Sequence, residues 1–144
     1  MSASVDELRA VLERIPYARF LGVQATLAGD EMTAVLPFSE VLIGNPILPA
    51  IHGGVLGAFM EMTALAQLSI SQGLARQPKP IGVTIEYLRS GRPIPTYARA
   101  TVKRAGRRIA NVHVEAWQDS RSSPIAALHG HFLITPGEAD TPAG

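Results

Sequence analysis

The sequence predicts an α+β fold in which one long buried helix is wrapped by a largely antiparallel sheet of five or six strands. Three observations lead there. Residues 53–75 hold a single charge, Glu61, with apolar groups on every helical face, as in a helix enclosed on all sides. Segments 82–88, 96–104, 109–117 and 125–135 alternate apolar and polar residues with period two. The gaps between the last three are too short for a crossover helix, so these strands must run antiparallel.

Each element follows from local chemistry. Ser4 and Glu7 have capping-box spacing, and Val5, Leu8, Val11, Leu12 and Ile15 form the stripe of a short helix over 5–15, which Pro16 is expected to stop. Residues 23–27 and 32–36 read as strands around a Gly29-Asp30 turn. Pro37, Gly44, Pro46 and Pro49 make 37–51 a loop. In the long helix, Glu61, Gln67, Ser69, Ser71 and Gln72 disfavour a membrane span. Gly106-Arg107 and 119–123 are the later turns, and 136–144 is expected to be a frayed tail.

Composition narrows the function. The 144 residues suit one domain, 1–144, and the absence of cysteine excludes disulfides, thiolate metal sites and a cysteine nucleophile. A net charge of +1 and 6% aromatic residues argue against nucleic-acid binding. The first ten residues carry acids and no apolar run, so the chain is expected in the cytoplasm without a membrane partner. Charge is nevertheless segregated. Residues 76–108 hold nine cations against Glu86 alone, which is +8, leaving −7 elsewhere. Such a segment attracts compact anions such as nucleotide phosphates.

The run IGNPILPAIHGGVLGAFMEMTA joins Asn45-Pro46 to His52-Gly53-Gly54 and places Glu61 nine residues after His52. With the strand VTIEYLRSGRP and the closing IAALHGHFLI, it resembles the hotdog-fold acyl-CoA thioesterases, especially the phenylacetate-degradation (PaaI-like) and 4-hydroxybenzoyl-CoA thioesterase branch. The resemblance spans roughly residues 20–135. It implies hydrolysis of an acyl-CoA to free acid and coenzyme A, with no cofactor or metal beyond the coenzyme A of the substrate. It also implies homodimers, often paired again into tetramers.

The residues support this chemistry on their own terms. Gly53 and Gly54 permit close approach to unpaired amides at the helix start, which would polarise a thioester carbonyl; their alternative role is tight helix–strand packing. Glu61, set among Phe59, Met60, Met62 and Leu65, is a desolvated carboxylate suited to act as general base or nucleophile; the alternative is a structural ion pair across a subunit interface. The resemblance gives His52 a supporting role, against a plain helix cap. It also gives Asn45 a role in positioning substrate or water, although Asn45 precedes His52 by seven residues where the family pattern has six; Asn45 also suits a simple turn. Thr84 falls on the strand where related thioesterases often place a small hydroxyl, and is alternatively an ordinary β-branched strand residue. Arg89, Arg107 and Arg108 are the candidates for coenzyme A phosphates. His113, His129 and His131 share a strand-face pattern but lack the convergent carboxylates that a metal site would need.

Two other activities share this framework. A hotdog dehydratase or hydratase needs a histidine upstream of the acid, and position 47 is isoleucine. An acyl-CoA binding or sensing module would need no buried carboxylate.

Overall fold

The computed structural model describes residues 4–74 and 76–135. The N-terminal helix expected over 5–15 is α1 (Val5–Glu13), and a second short helix that was not expected, α2 (Pro16–Leu21), follows it. Ser4 Oγ accepts the Glu7 N–H at 3.1 Å and caps α1 as the spacing predicted. Pro16 does not merely end a helix: its fixed φ opens α2, and Gly22 closes α2 in the left-handed conformation at φ 72°.

A hairpin, β1 (Gln24–Ala28) and β2 (Glu31–Leu36), turns through Gly29 at φ 65°. The expected loop 37–51 has structure of its own, a 3-10 turn at Glu40–Leu42 and a small hairpin of β3 (Ile43–Asn45) and β4 (Ala50–Ile51). The long helix α3 (Gly53–Gln72) follows and ends at Gly73. Four strands complete the fold: β5 (Lys79–Tyr87), β6 (Thr96–Ala105), β7 (Ile109–Trp117) and β8 (Ala126–Leu133). The expected tail, 136–144, lies outside the described residues.

All neighbours in the six-stranded order β1-β2-β6-β7-β8-β5 are antiparallel. Strand β5 is an edge, which is why it tolerates Pro80 beside a register shift. The inner sheet face presents Ala98, Ala100, Val112, Val114, Ala116, Leu128 and Phe132, and its alanines let α3 lie close. Helix α3 answers with Phe59, Met60 and Leu68, all fully buried. Each such side chain contributes about 1.5–3 kcal/mol relative to exposure. Gln67, buried among them, is satisfied at both ends: its Oε1 accepts the Met32 N–H at 3.0 Å and its Nε2 donates to the Asp30 carbonyl at 2.8 Å. That pair of bonds fixes the axial position of the helix against the β1–β2 turn.

Candidate active site

The start of α3 is held from three sides. The His52 N–H donates to the Leu42 carbonyl at 2.8 Å, and the Ile51 N–H donates to that of Gly91 at 2.8 Å. The Tyr87 hydroxyl donates to the Gly53 carbonyl at 2.7 Å. Glycine is required where chains touch: a Cβ on Gly44 would stand 2.8 Å from His52 Cα, and one on Gly53 would stand 3.2 Å from the Tyr87 ring. The packing role of Gly53 is therefore real, whatever else it does.

His52 caps the helix through its ring. Its Nδ1 accepts the Gly54 N–H at 2.9 Å, and its carbonyl takes the N–H groups of Val55 and Leu56. The Gly54 amide is thus already engaged in the free chain. Among the described residues, Gly53 N–H is the helix-start amide that has no acceptor. This bond requires an unprotonated Nδ1, since a doubly protonated imidazole has no acceptor. Asn45 is likewise occupied: its Oδ1 accepts from Ile47 N at 3.0 Å and Leu48 N at 3.4 Å, closing the turn that its Asn-Pro sequence suggested.

Glu61 stands apart. Seven residues separate it from Gly54, and seven steps of 100° return to within about 20° of the same direction. Gly54, Ala58 and Glu61 therefore form one stripe, the least buried face of an otherwise enclosed helix. Burial pushes the Glu61 carboxyl above its ordinary 4.5, and no described residue bonds or pairs with it. Along the axis it lies about 10.5 Å from Gly54, too far for its own side chain to reach the helix start.

Other expected residues are dispersed. Thr84 lies opposite His129, while its neighbours Val83 and Ile85 lie opposite the buried Gly130 and Leu128. Facing strand partners share a side of the sheet, so Thr84 points outward, away from α3. Arg89 flanks a shallow pocket of about 360 Å³ with Gly53, Leu56 and Tyr87 at the helix start. Arg107 and Arg108 sit in the β6–β7 turn, at the end of the sheet where β5 begins, about 30 Å away by strand rise. The three arginines therefore do not form one site within a chain. Two cations of the basic segment are structural: Arg92 pairs with Asp119, and Arg99 bonds Thr33 Oγ1 at 2.7 Å and Glu31 at 3.1 Å. His113 and His129 pack edge to face at 4.1 Å, and desolvation, then His129 and Lys103, pull the His113 pKa below its ordinary value.

Comparison with known proteins identifies the family. The acyl-CoA thioesterase N-terminal domain family matches residues 44–135, from the small hairpin through the last strand. The chain belongs to that family. As a thioesterase-family member it has the hotdog architecture, one long helix wrapped by an antiparallel sheet. A structure from Chromobacterium violaceum is similar at 33% identity and TM-score 0.72, covering 91% of this chain and 96% of that one. The Escherichia coli PaaI protein, from the phenylacetic acid degradation operon, shares the fold at 19% identity and TM-score 0.78, with 92% and 93% coverage. A phenylacetic acid degradation-related protein of Ralstonia eutropha does so at 19% identity and TM-score 0.73, with 88% and 98% coverage. No curated protein matches the sequence significantly.

Against this thioesterase-family background, two residues at the helix start escaped the sequence reading. Gly44 looked like one breaker among several in a loop. Tyr87 was legible in principle, since alternation in its strand puts it on the helix-facing side with Ile85.

Proposed function

We propose that the chain hydrolyses acyl-CoA thioesters, with Glu61 as general base or nucleophile and amides at the start of α3 polarising the thioester carbonyl. One observation carries this reading: the sole charge of a buried helix is a carboxylate that no described residue pairs with, on the least buried face of that helix and aligned with Gly54. A sensing module would gain nothing from holding that charge there.

The reading requires two chains. A single helix sets Gly54 and Glu61 about 10.5 Å apart. Two such helices antiparallel across a twofold axis set each Glu61 beside the other chain's Gly54. An edge open to a second copy supports this: β5 is an outer strand of the sheet, and its Ile81 and Val83 remain 58% and 38% exposed. The same symmetry carries Arg107 and Arg108 toward the other chain's Arg89, where they would meet the coenzyme's phosphates. His52 holds Gly54 N–H until the carbonyl oxygen displaces it, and Asn45 shapes the loop over the site. Thr84 has no contact with substrate in this arrangement.

Replacing Glu61 with glutamine tests the assignment. The kcat for acyl-CoA should fall by on the order of 10²-fold or more with little change in KM. A folded variant that keeps near wild-type kcat removes Glu61 from the chemistry.

A further inference from the structure

We infer that Tyr87 is a positioning residue for the reaction, its hydroxyl locking the Gly53–Gly54 peptide so that the amides at the start of α3 are aimed before substrate arrives. This rests on the thioesterase reading and adds the group that holds its carbonyl-polarising donors in place. Glycine has the widest backbone freedom of any residue, and the first turn of a helix lacks part of its internal bonding. Two consecutive glycines there hold a poor aim unless something outside the helix fixes them.

The Gly53–Gly54 peptide is gripped at both ends. Its carbonyl accepts the Tyr87 hydroxyl at 2.7 Å, and its N–H donates to His52 Nδ1 at 2.9 Å. Among the described residues, Tyr87 is the side chain that reaches this peptide from another element. A seat is built for it. Gly53 and Gly57 lie about one turn apart on α3. A Cβ on Gly53 would stand 3.2 Å from the Tyr87 ring, and one on Gly57 would stand 3.5 Å from the Tyr87 hydroxyl and 2.8 Å from Ile85 Cδ1. Strand β5 is also pinned just past the point where it delivers the ring. The Leu88 and Arg89 N–H groups both donate to the Ile125 carbonyl, at 2.8 and 3.0 Å.

Burial does not explain this tyrosine. It is 54% exposed, and the ring of a phenylalanine would cover Gly53 equally well. What the hydroxyl adds is a bond to a carbonyl, and its effect falls on the other end of the same peptide. A peptide whose oxygen accepts a hydrogen bond is polarised, which makes its N–H a stronger donor. The bond also fixes the peptide plane, and with it the direction of the Gly54 N–H. The ring against Gly53 restrains the preceding amide as well. Donors held in this way are worth most in acyl transfer, because they need not reorient as charge develops on the thioester oxygen.

Two variants separate this role from packing. Tyr87→Phe keeps the ring and removes the bond, whereas Ile85→Val loosens the same strand–helix contact and leaves the bond alone. Thiol release from a panel of aliphatic and aromatic acyl-CoAs should show kcat about tenfold lower in Tyr87→Phe, with KM within about twofold of wild type. Ile85→Val should lower Tm and keep kcat within about twofold. Isotope-edited infrared spectra of a bound ketone analogue, with a methylene in place of the thioester sulfur, add a signature that packing alone does not move. In wild type the labelled carbonyl stretch should fall in frequency on binding, and Tyr87→Phe should lose part of that fall. A Tyr87→Phe kcat equal to that of wild type, or an unchanged carbonyl shift, would overturn the positioning role and leave the thioesterase intact. An equal loss of kcat in Ile85→Val would overturn it too, by assigning the effect to packing. If wild type releases thiol from no member of the panel, the thioesterase reading itself fails.

Discussion

Subunit mixing gives a quantitative prediction about where the site is. Gly54 and Glu61 share a stripe but stand about 10.5 Å apart, so each site should draw its amide from one chain and its acid from the other. Glu61→Gln removes the acid, and Gly54→Pro removes an amide donor close to the helix N-terminus, where proline is tolerated. Each homodimer then contains two damaged sites. Random exchange of equal amounts makes half the dimers mixed, and every mixed dimer holds one intact site and one doubly damaged site. Activity should rise from near zero to about 25% of wild type per chain. Thiol release after mixing, with exchange followed by native mass spectrometry on differently tagged chains, reads both quantities. Mixed dimers formed in the expected share without recovered turnover would refute the shared site, as would a fully active monomer at assay concentration.

Two further predictions concern the residues that frame the site. Burial raises the Glu61 carboxyl pKa, so the folded chain holds that proton at a pH where the unfolded chain has released it. Stability associated with this group is therefore lost as pH rises from the ordinary 4.5 through the raised value. Glu61→Gln should accordingly raise Tm at pH 7 and show no such gain near pH 4, while the acid limb of the wild-type kcat/KM profile should lie above 4.5. Gly44→Ala would push a methyl to within 2.8 Å of His52 Cα, a backbone atom that cannot swing aside. It should lower stability by about 1–3 kcal/mol in urea titration and reduce kcat as the helix start shifts.

Much of the fold was legible because period and breakers act locally. The stripe of α1, the capping Ser4, the enclosed α3 and the alternation of β6, β7 and β8 all follow from residue spacing. Pro16 does stop α1 as expected, but α2 beyond it was missed, because a proline that ends one helix can equally open the next, and the burial of Ala18 and Leu21 comes only with packing. The β3–β4 hairpin escaped notice because its strands are only three and two residues long, among prolines. Of the site, Glu61 was the clearest, as a lone charge in an apolar helix. The capping role of His52 was one of its two readings in the sequence, whereas the particular bond from Gly54 N–H to its ring depends on a side-chain rotamer at the cap. The direction of Thr84 depends on its pairing with His129, and the separation of Arg89 from Arg107 and Arg108 depends on which way β5 runs. Both are long-range facts that spacing along the chain does not contain.

Glu61, which no described residue pairs with, is proposed to serve catalysis rather than storage or sensing of an acyl thioester. Thiol release from a panel of aliphatic and aromatic acyl-CoAs tests it most directly, with binding of each ligand measured in parallel by calorimetry on wild type and Glu61→Gln. Wild type should turn over at least one acyl-CoA, and the variant should retain binding with turnover lost. Tight binding by both proteins with no thiol released from any acyl-CoA would contradict it.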